Sequence, residues 1–397
     1  MRTTRCYGSG LLLGLCCLLG GVPATASESG HLDQEAALVK DGVLGTVNVL
    51  RELDVKTWKN RVTVTCNVKG KGDQPEWRKD VNHTIDGSGL DFAPEHQGEP
   101  AEGVVFTYIL PAPRTVSSLA IVGDAPDTIR LEGSTDGGKT RFEVLKSKPR
   151  KESVFLKCFK PVKVTQLRLN LKGGGDCVQE VFVYADAEAP LPFFGGKDSG
   201  TFSFLRDLWY AGKIKLFPST GNAVWAAPFG GKGLPHAPFD SYIRNFHDGG
   251  WGPWEPYGSD QPGKRVFLRF DLDKAYPMNY GLISSPERDW IIGSKGSKAE
   301  FYTANGNLDP STLKGKGIQN LTGQGWILQK AWDNDPEVCK GFSFARPGKY
   351  SQMLLVWGGG KWGAGGSSWS HLEMFGIETP TQADRPARSE PERGSTP

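Results

Sequence analysis

One succession of short strand-like segments occurs twice in this chain, and that duplication constrains the fold more than any other feature. The first pass reads Val81-Asn-His-Thr-Ile-Asp86-Gly87-Ser88, Phe106-Thr-Tyr-Ile-Leu110 and a hydrophobic run ending at Ile121. It continues through an Asp136-Gly137 turn, Gln166-Leu-Arg-Leu-Asn-Leu171, a glycine triplet at Gly173 to Gly175, and Glu180-Val-Phe-Val-Tyr184. The second pass reads Ile243-Arg-Asn-Phe-His-Asp248-Gly249-Gly250, Leu268-Arg-Phe-Asp-Leu272 and a run ending at Ile283. An Asn305-Gly306 turn follows, then Gln352-Met-Leu-Leu-Val-Trp357, Gly358 to Gly360, and Glu373-Met-Phe-Gly-Ile377. A repeat of this length means two structural units of one kind.

The units read as all-β. Arg61-Val-Thr-Val-Thr-Cys66, Thr46-Val-Asn-Val-Leu50, Val116 to Ile121, Ile129-Arg-Leu131, Phe142 to Leu145 and Val164 to Leu171 alternate apolar and polar residues. That alternation is the signature of strands with one buried face. The 52 glycines and 27 prolines suit short strands joined by many turns. Every element of the first copy is expected to be a strand, and Lys213 to Phe217 and Asn222 to Ala227 are expected to open the second.

The expected organisation is a signal peptide over 1–26, an N-terminal segment over 27–44 and a first β-sandwich over 45–187. A linker over 188–204, a second β-sandwich over 205–378 and a disordered tail over 379–397 complete it. Arg2 and Arg5 precede an apolar stretch from Leu11 to Leu19, and Ala24-Thr25-Ala26 follows, the layout of a secretory leader. A secreted, periplasmic or cell-surface protein is expected. Leu32 to Lys40 could form a short helix. The tail's Pro, Ser, Arg, Glu and Thr offer no core-forming side chains.

A formal charge of +3 provides no field to gather nucleic acid or an anionic membrane. No later segment approaches the roughly 20 apolar residues of a membrane-spanning helix. Outside the leader stand Cys66, Cys158, Cys177 and Cys339. Pairing of Cys158 with Cys177 and four unpaired thiols both remain open.

Nucleophile elbows, metal-protease helices and phosphate-binding glycine loops have no match. His236, His247 and His371 lie near carboxylates, but His247-Asp248 and His371-Leu-Glu373 belong to the repeat itself. No catalytic residue is assigned.

The strand order, the Asp-Gly opening each copy, the Gly133-Ser-Thr-Asp-Gly137 turn and the two closing segments resemble the discoidin family. These are coagulation-factor C-type, galactose-binding-like jelly rolls, and the resemblance covers roughly 45–187 and 205–378. It implies tandem binding modules, many such modules being specific for carbohydrate. It also implies a structural calcium at Asp86 with Glu180 in the first copy and at Asp248 with Glu373 in the second. Calcium takes several oxygens, which a turn carbonyl and two carboxylates begin to supply. Ser88 and Gly250 stand where the family often has a further acid or amide, so each copy lacks one donor.

Ten of the twelve tryptophans lie at or after Trp209. Trp251, Trp254 and Tyr257 sit in a glycine- and proline-rich stretch, and Trp362 lies between two glycine runs. Aromatic rings on such loops mark contact surfaces when exposed and seal sandwich edges when buried. Sugar rings stack on indole, with Asn245, Glu255, Arg288 and Lys361 placed to bond hydroxyls. Trp357 and Trp369 read as core. The expectation is a non-catalytic protein that binds carbohydrate or a glycan surface through the second copy, the first being mainly structural. The alternatives are a protein–protein adhesion or envelope assembly component, and a polysaccharide hydrolase or lyase.

Overall fold

Long strands of nineteen or twenty residues, two per copy, carry the architecture by running through both layers of a sandwich. The computed structural model describes residues 45–87, 90–95, 103–124, 126–149, 154–174, 177–185, 194–196, 199–218, 265–284, 298–309, 320–333, 339–358 and 371–378. In chain order the strands of the first copy are β1 (Leu53–Asp54), β2 (Thr63–Cys66), β3 (Val104–Gly123), β4 (Thr128–Ser134), β5 (Phe142–Ser147), β6 (Val154–Lys172) and β7 (Val178–Ala185). Short strands β8 (Phe194–Gly195) and β9 (Gly200–Thr201) follow, then helix α1 (Leu205–Tyr210). The second copy has β10 (Ile214–Pro218), β11 (Arg265–Ser284), β12 (Lys298–Ala304), β13 (Ile327–Asp333), β14 (Cys339–Gly358) and β15 (His371–Ile377).

The first sheet runs β2-β3-β6-β4-β5, with β7 on the far half of β3. The second runs β10-β11-β14-β12-β13, with β15 on the far half of β11. The two orders are the same, apart from short β8, which adds to β15 in parallel in the second sheet. In β3 the register breaks between Ile109 and Arg114 and again between Val116 and Ser118. In β11 it breaks between Asp271 and Tyr276 and again between Met278 and Tyr280. Each break bends the strand out of a five-stranded layer into a three-stranded one.

Prolines sit at these bends, where no ladder hydrogen bond is lost. Pro111 and Pro113 fall in the first gap of β3, and Pro161 lies on β6 opposite the second gap. They explain why each long strand reads in sequence as two short ones. Each copy is thus a jelly-roll β-sandwich in an all-β chain.

The inward faces meet in one core per copy. In the first, Phe106, Tyr108, Leu119, Ile121, Leu131, Leu167, Leu169 and Val181 pack together. In the second, Phe270, Met278, Ile283, Phe301, Phe342, Met353, Leu372 and Met374 do so. Each such side chain contributes about 1.5–3 kcal/mol by leaving water. The Asp136 hairpin expected between β4 and β5 is present. Its carboxylate accepts the Thr140 hydroxyl and N–H and the Ser134 hydroxyl, which hold it down to about 2.

Several expectations change. Helix α1, which the sequence reading did not place, precedes the strand expected over Lys213 to Phe217, and among the described residues it is the one α-helix. Thr46 to Leu50 is not a strand but an irregular segment bridged to Tyr184 through Asn48. No Cys158–Cys177 bridge is formed. Cys177 Sγ donates instead to Asp124 Oδ2 at 3.5 Å. Trp326 and Trp332 are buried, so part of the tryptophan excess is packing rather than contact surface. The leader, the Leu32–Lys40 helix, the Asn222–Ala227 strand and the tail lie outside the described residues. No helix among the described residues is long and apolar enough to cross a membrane.

Candidate functional site

The second copy brings three chain segments to one end of its five-stranded layer. Arg265 faces Gly358, Gly358 faces Lys298, and Lys298 faces Asp333, so these four form one row. The row is fixed because Leu268, Phe270, Ala299, Phe301 and Leu355, a few residues inward, share one core. The segment holding Asn245, Asp248, Trp251, Trp254, Glu255 and Tyr257 enters the sheet at Arg265. The segment holding Arg288 enters at Lys298, and that holding Lys361 and Trp362 leaves at Gly358. These candidate residues themselves lie outside the described residues.

The row is charged. Arg265 Nη2 donates to Glu300 Oε2 at 2.7 Å, and the Tyr302 hydroxyl donates to the same oxygen at 2.8 Å. Burial and this carboxylate push the Tyr302 phenol up.

The first Asp-Gly turn is built by a 3-10 segment, Val81–Thr84, whose start is capped by Asp80 accepting the Asn82 N–H. Gly87 follows at φ 69°, a left-handed conformation that glycine takes without strain. Its N–H donates to both oxygens of Glu180, at 3.3 and 3.2 Å. Asp86 Oδ2 meets His83 Nδ1 at 2.8 Å. Burial works against the charged imidazole, but the Asp86 carboxylate outweighs it, and His83 is raised. Burial pushes Glu180 well above its ordinary range; Asp86 and Glu373 reinforce the shift, and Arg51 opposes it. Arg51 Nε donates to Glu373 Oε2 at 3.1 Å with both side chains nearly buried. Asp86, Glu180 and Glu373, expected in two separate copies, therefore form one electrostatic cluster around Arg51.

The cluster also corrects the equivalence of the two closing acids. Matching the bulges aligns Ser118 with Tyr280 and Ile121 with Ile283. Tyr184 then corresponds to Phe375, Phe182 to Glu373, and Glu180 to His371. Glu180 and Glu373 are two residues out of step, and Glu373 turns to the Arg51 guanidinium of the other copy.

The fit to calcium is poor among the described residues. Calcium takes six to eight oxygens, but Asp86 is engaged by His83, Glu180 by Gly87, and Arg51 already brings positive charge to the cluster. No group of three or more His, Cys, Asp or Glu is gathered to hold a metal among the described residues.

Glu180 gives a pH test. Its folded-state pKa lies above the ordinary 4.5, so the native state keeps a proton that the unfolded chain gives up. Stability is then full below about pH 4.5 and falls as pH rises toward the folded value. Glu180→Gln should flatten this decline and leave the variant at least as stable as the parent at pH 8. Thermal melts from pH 4.5 to 8 check this, with and without calcium. A Gln variant less stable at pH 8 only when calcium is present would instead mark Glu180 as a metal ligand.

Two features escaped the sequence reading. Trp58 adopts φ 58° and stacks on Tyr280 of the second copy, with ring centroids 4.8 Å apart and planes 8° from parallel. Arg51 and Arg206, both buried, lie between the copies. The signal that finds them is a second small repeat, Leu50-Arg51-Glu52-Leu53 and Leu205-Arg206-Asp207-Leu208.

No protein-family model matches the chain, and no curated protein matches it. Among solved structures, an allantoicase aligns at 11% identity over 88% of this chain and 99% of its own, with a TM-score of 0.35. The CpGH89CBM32-5 protein of Clostridium perfringens, in complex with GalNAc-β-1,3-galactose, aligns at 14% identity over 31% of this chain and 95% of its own, with a TM-score of 0.28. The family 32 CBM of Clostridium perfringens NanJ, in complex with galactose, aligns at 19% identity over 34% of this chain and 98% of its own, with a TM-score of 0.27. At such scores these likenesses carry no weight for what this chain binds, since a fold hosts many functions.

Proposed function

We propose that this is a non-catalytic exported protein that binds neutral carbohydrate through the aromatic segments at one end of its second sandwich. The observation that carries the reading is the row Arg265–Gly358–Lys298. Three segments rich in Trp, Tyr, Asn, Arg and Lys meet the sheet along this single edge. Aromatic faces beside hydrogen-bonding side chains suit a pyranose, whose C–H faces stack while its hydroxyls bond. The formal charge of +3 argues for a partner that is not strongly ionic. The first copy holds the second in place.

The test is polysaccharide pull-down with Trp251→Ala and Trp362→Ala. Truncating a tryptophan at a binding hot spot costs about 2 kcal/mol or more, which is roughly thirtyfold in affinity. Both variants should lose retention while their melts stay unchanged, and full retention in both rejects the assignment. Excess free sugar should release the parent protein. Persistence of a captured envelope protein under that competition would instead favour a protein–protein adhesion role.

A further inference from the structure

The repeated Leu-Arg-acid-Leu motif forms two arms related by the duplication, and each arm does the same two things. First, it docks on the closing strand of its own copy. Asn48 Oδ1 accepts the Val183 N–H at 3.1 Å, and the Val49 N–H donates to the Val183 carbonyl at 2.8 Å. In the second copy Ser203 Oγ accepts the Met374 N–H at 3.4 Å, and the Phe204 N–H donates to the Met374 carbonyl at 3.1 Å. Asn48 and Ser203, Val49 and Phe204, and Val183 and Met374 are equivalent positions. Leu50 and Leu205 then enter their own cores, both fully buried.

Second, each arm sends its arginine to the outward face of the opposite copy's closing strand. Arg51 reaches Glu373 on β15. Arg206 lies over the ring of Tyr184 on β7, with Cζ 4.4 Å from the centroid, and over its own Tyr210 at 5.0 Å. The acids beside them bind on the first-copy side. Asp207 Oδ1 accepts the Thr46 hydroxyl at 2.9 Å, and Glu52 joins Arg61 and Arg114. The β1–β9 pairing and the Trp58–Tyr280 stack lie along the same seam.

We propose that these arms are the surface through which the two copies recognise each other, making the tandem one cooperative folding unit built as an isologous pair joined by a linker. A two-fold pair presents the same patch from each partner, and the exchanged arginines reproduce that reciprocity within one chain. The two hydrophobic cores are separate clusters, so joint unfolding has to be transmitted across this seam. The arginines carry it because each is buried and tied to the opposite copy.

Differential scanning calorimetry of the full chain tests this. The parent should unfold in one transition with equal calorimetric and van't Hoff enthalpies. Arg51→Ala breaks the buried Arg51–Glu373 pair and should lower the first melting step by roughly 10 °C. Arg51→Ala and Arg206→Ala should each split the transition into two. Arg51→Lys and Arg206→Lys, which keep the charge but lose the planar contacts, should broaden it if the alanine variants do not fold. Reversal of the ion pair in Arg51→Glu with Glu373→Arg should restore cooperativity lost in Arg51→Glu alone. Two resolved transitions in the parent overturn the proposal. So does a single transition with equal enthalpies in both alanine variants, or in both lysine variants where the alanine forms do not fold.

Discussion

Trp326→Ala is expected to cost about 3–5 kcal/mol, the usual range for truncating a buried tryptophan. In the second copy the outer side of the five-stranded layer is itself a core. Phe267, Tyr302, Ala304, Leu354 and Val356 project from it, and Leu321 and Trp326 cover them, with Leu308 packed alongside. Trp326 is 2% exposed, so its removal opens a cavity over the sheet. The first copy has no need of such a cover. Its outer side carries Thr107, Arg168 and Asn170, and an ion-paired ladder in which Glu132 meets Arg130 and Arg168. The indole N–H of Trp326 is buried and meets no acceptor among the described residues. Trp326→Phe should therefore recover most of the loss, because it removes that unsatisfied donor along with part of the ring. Urea melts of the three proteins check the order parent, Phe, Ala; an alanine variant within 1 kcal/mol of the parent would contradict it.

Glu52→Ala is expected to cost about 3 kcal/mol, because breaking a buried pair strands the remaining charge. The carboxylate is 1% exposed and joins Arg61 at 2.7 Å and Arg114 at 2.6 Å. Arg114 also stands over the Phe202 ring at 5.3 Å, so its loss of partner is felt at the segment entering the second copy. The figure is set below the upper range because the Arg61 side chain is 32% exposed and keeps access to water. The loss should persist in 0.5 M salt, which distinguishes it from exposed pairs such as Arg130–Glu143. Denaturant melts at low and high salt measure this, and a loss that vanishes with salt would show the pair to be merely a surface contact.

The repeated strand order was legible in the sequence because turns and apolar alternation recur in step. What was not legible has physical causes. Pro111, Pro113 and Pro161 punctuate strands that in fact continue through bulges, so β3 and β6 read as fragments. The two closing strands were matched on their shared Glu-x-Phe text, which slides them by two residues. A slip of two preserves the inward and outward alternation, so the apolar pattern gives no warning; only pairing to β3 and β11 separates Glu180 from Glu373. Helix α1 spans six residues, and its Leu-Arg-Asp-Leu start matches a first-copy arm that is not helical. Local sequence therefore does not decide its conformation. The excess of second-copy tryptophan pointed to a contact surface, but Trp326 and Trp332 are spent on packing. The arms leave a short repeat that the sequence reading passed over, and their exchange between copies is a tertiary fact.

The most direct measurement is electrophoresis of the intact protein through native gels cast with neutral polysaccharides. Retardation by at least one polymer should disappear when Trp251, Trp254 and Trp362 are replaced together by alanine, with the calorimetric transition unchanged. Unaltered mobility of the parent across the whole panel would contradict carbohydrate binding at the second copy, as would release of new reducing ends from the polymer that retards it.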